Sequence, residues 1–260
     1  MISVTKKSNH IAKDTQEMSI LVSMYGLSFM IKKGAHKKFF EYQIKLVNPI
    51  FIAEKLKSII AERPVLQENF DRIKLIYHHN LNSLIPEAFF DPETYKILLE
   101  QNVKLLANDR TDYNYIPYIG AYNTYVKMMP VAAQFSDGTS NLINLHSATV
   151  FFEQIEQFQK KSQNAPIFEI FLNIFPNDFQ IAVFKHEQLQ VFNHFKFEDA
   201  DEFLYFLFFV LETLEINAQQ SHIYIFGIEE SDDIIQNIKD FTKNISVIPP
   251  KNPSQIHNYF

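Results

Sequence analysis

The chain has no cysteine, no tryptophan and only 5 glycines in 260 residues. Without cysteine there is no disulfide framework, no thiolate metal site and no thiol nucleophile, which fits a reducing compartment. So few glycines argue against long flexible loops, so the elements should be joined tightly. A membrane-spanning run is also lacking. The most apolar stretch, FLYFLFFVL at residues 203–211, is 9 residues long, against about 20 for a helix that crosses a bilayer; it reads as a buried helix. Residues 1–17 carry Lys6, Lys7, Lys13, Asp14 and Glu17 around no apolar core, so no secretory leader is read there and a cytoplasmic location is expected. Gly-x-Ser-x-Gly, phosphate-loop and dinucleotide fingerprints are all missing.

What is present is core material: 47% of residues are hydrophobic and 26 are Phe. A chain of this length buries roughly three quarters of its unfolded surface and needs no metal or disulfide to hold a core. The net charge of -6 is unevenly spread: residues 1–163 hold 19 Lys and Arg against 16 Asp and Glu, residues 164–260 hold 5 against 14. An acidic second half repels phosphates, so nucleic acid is not an expected partner there.

Patterning gives an order of elements. Residues 18–23, 27–31 and 37–47 read as a three-stranded meander, with turns at Tyr25-Gly26 and Lys32-Lys33-Gly34. Asn48-Pro49 then opens a helix in which Ile52, Leu56, Ile59 and Ile60 recur at helical spacing. Residues 72–78 read as a strand, and Asp91-Pro92 opens a helix through Tyr95, Leu98 and Leu99. The same order returns after Pro166: strands at 167–174, 179–185 and 189–197, a helix at 198–214, a strand at 221–226 ending at Gly227, and a helix at 232–241. Between the copies lie a β-like aromatic stretch at 114–127, a short strand at 141–145 and a helix at 147–161. The expected organisation is an extension at 1–17, a first half at 18–163, a second half at 164–248 and a tail at 249–260, with the link at Ser162-Gln163-Asn164.

A meander, a helix and alternating strand and helix, present twice, resemble the actin-like ATPase organisation, in which two ribonuclease H-like halves face each other across a cleft. Residues 18–31 (MSILVSMYGLSFMI), followed by residues 168–184 and the FLYFLFFVLETLEI helix, are similar to an uncharacterised bacterial domain-of-unknown-function family of that superfamily. That family is distantly similar to the pilus-assembly protein PilM. The fold class implied is α/β with mixed sheets and duplicated halves. In active members the first turn of each meander carries an Asp, a Gly and a hydroxyl residue that hold phosphates and hydrated magnesium.

Against that pattern the first turn here keeps Gly26 and Ser28 but has Ser23 at the Asp position, and the second, residues 173–178, has no glycine and a proline. Pro176 removes an amide donor. The adenosine segment is reduced to Gly227, followed by Glu229 and Glu230, whose charge repels phosphates. Ser23, Gly26, Ser28 and Gly227 are thus the candidate cofactor-binding residues. No catalytic and no metal-binding residue is assigned, and no cofactor is expected; ATP with magnesium is the exception to test.

Other clusters have plainer readings. Lys32, Lys33, His36, Lys37 and Lys38 suit a solvated hairpin that guards a sheet edge. His78 and His79 are adjacent in a strand, point to opposite faces and have no third ligand in view. Tyr113, Tyr115, Tyr118, Tyr122 and Tyr125 suit packing with hydroxyls at the rim. Asp199, Asp201 and Glu202 suit the first turn of a helix. With Glu169 the lone acid in the opening strands, nuclease chemistry has too few carboxylates. The reading points away from catalysis. It expects a protein-interaction scaffold with a degenerate nucleotide cleft, bound to another protein or to itself; the alternative is an ATP-binding switch with little or no hydrolysis.

Overall fold

The computed structural model describes residues 15–43, 48–135, 141–160, 166–217, 219, 221–230 and 232–248. The expected link at 162–164, most of the extension, the end of the third strand at 44–47 and the tail from 249 lie outside the described residues.

The first half opens with β1 (Gln16–Ser23), β2 (Gly26–Lys33) and β3 (His36–Gln43), then α1 (Pro49–Glu62) and β4 (Arg72–Tyr77). An insertion follows, made of β5 (Asn82–Pro86), α2 (Tyr95–Asn102), β6 (Arg110–Ile116), β7 (Ala121–Lys127) and α3 (Met129–Ala132). The half closes with β8 (Leu142–His146) and α4 (Ser147–Gln159). The second half runs β9 (Phe168–Ile174), β10 (Asp178–Lys185), β11 (Gln188–Lys196), α5 (Ala200–Thr213), β12 (Ser221–Phe226), α6 (Asp233–Phe241) and β13 (Ile245–Val247).

Both main sheets have the same order. The first is β3-β2-β1-β4-β8 and the second β11-β10-β9-β12-β13, each with an antiparallel meander and a parallel remainder. The insertion forms a third, antiparallel sheet, β5-β7-β6. β5 and β13 are absent from the sequence reading because each is short and one ends in proline. The helix expected from Asp91-Pro92 starts later, at Tyr95. Asp91 Oδ1 instead accepts the Glu93 amide at 2.8 Å, spending those residues on a turn.

Strand alternation sets the layers. Met18, Ile20 and Val22 of β1, with Leu27 and Phe29 of β2, face α1 through Ile52, Leu56 and Ile59. Ile170, Leu172, Ile181 and Val183 face α5 and α6 through Leu207, Ile235 and Ile238. The opposite faces of the two sheets meet around α4. Val150 packs with Leu21 and Ile76 of the first sheet. Phe151, Phe152 and Ile155 pack with Phe171, Phe184 and Phe226 of the second. A helix enclosed on both sides must be apolar on both, and seven residues of α4 are buried. Asp199 caps α5 by accepting the Glu202 amide at 2.9 Å, so those acids serve the helix end. Among the described residues no helix is long and apolar enough to cross a membrane.

Candidate functional site

The two meander turns meet at the seam between the halves. Ser23 ends β1, and its hydroxyl accepts the amides of Tyr25 and Gly26, both at 3.1 Å. This folds the turn and turns Tyr25 toward the other half. A Cβ on Gly26 would overlap the Tyr42 carbonyl of β3, so glycine serves strand packing there. In the second half, Phe175 donates its amide to the Asp178 carbonyl at 2.8 Å, closing the turn that Pro176 and Asn177 span. Asp178 therefore starts β10 with its side chain on the face toward α4, as does Gln180.

Asp178 is the hub. Its Oδ2 accepts the Tyr25 hydroxyl at 2.6 Å, joining one turn directly to the other. Its Oδ1 lies 2.8 Å from Nε2 of His78, the residue after β4. The same oxygen is 2.9 Å from Nε2 of His194 on β11. That second approach is close but misaligned, and neither ring nitrogen of His194 makes a hydrogen bond, although its side chain is only 6% exposed. His78 Nδ1 is 3.0 Å from Ser147 Oγ at the start of α4, and Ser147 Oγ also accepts Gln180 Nε2 at 2.9 Å. Gln180 Oε1 in turn accepts Asn173 Nδ2 at 3.0 Å. Phe175 covers His78, with ring centroids 3.5 Å apart.

Burial opposes the charge on Asp178, but the two imidazoles outweigh it and hold the carboxyl far below the usual carboxylate range. Burial lowers the proton affinity of His78 against the pull of Asp178. Burial and the neighbouring carboxylate raise the Tyr25 phenol, so it stays a donor. Among the described residues the ion-pair partners of Asp178 are these two histidines, with no Lys or Arg.

Ser147, His78 and Asp178 are strung together like a hydrolase triad. Ser147 is fully buried, however, and its oxygen already accepts Gln180; a carbonyl substrate has no approach while the seam is closed. Beside the second turn lies a pocket of about 240 Å³ between Phe175, Pro176, Phe197, Gly227 and Asp232.

The candidate residues from the sequence do not gather at one place. Gly227 lines the pocket; Ser23, Gly26 and Ser28 do not. Gly227 has φ of 97°, and a Cβ there would overlap the Ile174 backbone, so its glycine is required by the β9–β12 contact. Ser28 is buried, and its hydroxyl has no partner among the described residues. Glu229 and Glu230 are exposed, and Glu230 pairs with Lys239 at 3.0 Å.

The sequence reading passed over Asp178, His194, Ser147 and the reach of Tyr25. One signal was available: Asn173, Gln180 and His194 are polar residues at matched register on three adjacent strands. His78 and His79 do diverge. His79 Nε2 bonds the Val126 carbonyl at 2.9 Å, while His78 reaches Ser147 of α4 through Nδ1 and Asp178, 100 residues downstream on the other half, through Nε2. Tyr125 is buried, and Tyr115 reaches Glu87 at 2.8 Å from the rim. The lysine hairpin is largely exposed on the edge strand β3.

Residues 5–245 match the family described as "Protein of unknown function (DUF3822)". The chain belongs to this family. A Bacteroides thetaiotaomicron VPI-5482 protein with "actin-like ATPase fold and unknown function" superposes with a TM-score of 0.78 at 19% identity, over 91% of each chain. A protein of the "PilM-PilN type IV pilus biogenesis complex" superposes at 0.55 with 9% identity, over 90% of this chain and 88% of its own. At these identities the likeness establishes the fold: this DUF3822 protein has the actin-like ATPase architecture. No curated protein matches it in sequence.

Proposed function

We propose that this DUF3822 protein is a non-catalytic actin-like scaffold that binds another protein or a second copy of itself, its inter-half cleft closed by its own side chains. One observation carries the reading: the Tyr25 to Asp178 bond at 2.6 Å ties together the two turns between which this fold class holds phosphates. Magnesium-ATP needs that space and free donors on both turns. The remaining residues fit it poorly. The Ser23 hydroxyl is occupied within its own turn, Pro176 has no amide to give, and Gly227 is pressed against Ile174. The Asp178 carboxylate, the kind of group that holds hydrated magnesium in active members, is taken up by Tyr25 and His78. The protein-binding part draws on the likeness to a PilM-PilN complex member and on the exposed Tyr205, Phe209 and Phe241 of α5 and α6.

The unpartnered Ser28 hydroxyl is the observation that favours the alternative, an ATP-binding switch. A thermal shift separates the two. A ligand at 100 times its Kd adds about 2.7 kcal/mol, and each kcal/mol raises Tm by roughly 2–4 °C in a chain of this size. Millimolar magnesium-ATP is predicted to leave Tm unmoved; a rise of several degrees contradicts the scaffold reading and supports the switch.

A further inference from the structure

We propose that His78, Asp178 and His194 form a zinc site that ties the two halves of the molecule together. These are the residues among those described whose ligand atoms come together in a His and carboxylate group, all within 4.8 Å of one another. Two imidazole nitrogens and one carboxylate oxygen are a donor set that suits Zn²⁺, with a water completing four-coordination.

Three features go beyond proximity. The His194 side chain is 6% exposed with both ring nitrogens lacking a hydrogen bond, a costly arrangement that ligation by one of them would relieve. Asp178 is a buried carboxylate with no Lys or Arg paired to it, and a divalent cation supplies the missing countercharge. The surrounding shell is also in place. Ser147 Oγ stands 3.0 Å from His78 Nδ1, where it accepts that N–H once Nε2 ligates, and the Tyr25 hydroxyl holds the second Asp178 oxygen at 2.6 Å.

The movement required between the carboxylate and each imidazole is small. Bonds of 2.0–2.1 Å in a tetrahedron set donor atoms about 3.3 Å apart, whereas Asp178 Oδ1 lies 2.8 and 2.9 Å from the two Nε2 atoms. The ligands part by roughly half an ångström, and His194, tethered by no ring hydrogen bond, is free to supply much of that.

This inference goes beyond the scaffold reading and stands without it, since zinc binding is measured with no nucleotide present. The test titrates chelator-stripped protein with Zn²⁺ by calorimetry and thermal melting, and with Co²⁺ by visible absorption. One equivalent is expected to bind, to raise Tm, and with Co²⁺ to give the intense absorption of a tetrahedral nitrogen and oxygen site. His194→Gln is expected to abolish the Co²⁺ band and weaken Zn²⁺ by about 100-fold or more. Its metal-free melt is expected to fall with the loss of the 2.9 Å contact to Asp178, so the comparison is between the Zn²⁺-induced rises in Tm and not between the starting values. Ser147→Ala, which keeps all three ligands, is expected to weaken Zn²⁺ by about 10–100-fold. Two results overturn the proposal: wild-type protein that neither shifts with Zn²⁺ nor colours with Co²⁺, or His194→Gln that binds both as the wild type does.

Discussion

Gly227 shows how a residue can keep its identity for reasons of packing. With φ of 97° and the Ile174 backbone against it, this position excludes every side chain. Gly227→Ala is predicted to destabilise the fold by more than about 1 kcal/mol, read as a fall in the urea midpoint; an unchanged midpoint would contradict this account. From the sequence alone, a glycine between a strand and a helix in this architecture looks like the remnant of an adenosine site. What tells the two apart is the close approach of β9, a long-range contact that local pattern does not carry. Ser23 teaches the same lesson. Its hydroxyl was legible as a hydroxyl at a turn, but its engagement with its own turn follows from the geometry of the β1–β2 hairpin.

At the scale of elements, β4 is joined to the insertion and to α4 by a pair of histidines, His146 buried and His79 partly so. His79 Nδ1 accepts the Leu81 amide at 3.1 Å, while Nε2 donates to Val126 at 2.9 Å. His146 Nδ1 accepts the Ala148 amide at 3.1 Å, while Nε2 donates to the His79 carbonyl at 2.9 Å. Each ring needs Nδ1 as an acceptor, so each must be neutral, and a proton added there would face an N–H. Burial accordingly lowers His79 from 6.5 to about 3 and His146 well below 6.5. Because these folded values lie under the unfolded one, the unfolded chain binds protons first as pH falls. Their contribution is full above about pH 6.5 and declines as pH falls below it, for His79 toward about pH 3. Between pH 7 and 5.5, with chelator present, the two together are predicted to cost about 2 kcal/mol of stability; a flat denaturation profile over that range would contradict the neutral assignment. The main strands and helices were legible because their apolar residues follow periods of 2 and 3.6. In the insertion the helix through Tyr95, Leu98 and Leu99 is legible, but its sheet reads only as a β-like stretch at 114–127, since β5 is five residues ending in Pro86 and its pairing with β7 is non-local.

At the scale of the molecule, the doubled sheet order places two equivalent turns face to face, and the chemistry at their junction decides what the cleft can hold. The duplication could be read from the repeated order of elements. The junction could not, because Tyr25, His78, Ser147, Asp178 and His194 have no spacing rule and meet only when the halves are docked. A buried carboxylate at such a junction is costly when any partner is removed, so the closed seam depends on Tyr25 and Asp178 together. The direct test is a double-mutant cycle on chelator-treated protein at neutral pH: wild type, Tyr25→Phe, Asp178→Asn and the pair, each unfolded in urea. The account predicts that the single losses fail to add, with a coupling of about 1 kcal/mol or more. Losses that add to within about 0.5 kcal/mol would mean that the two turns do not hold each other, and the claim of a self-closed cleft would fall.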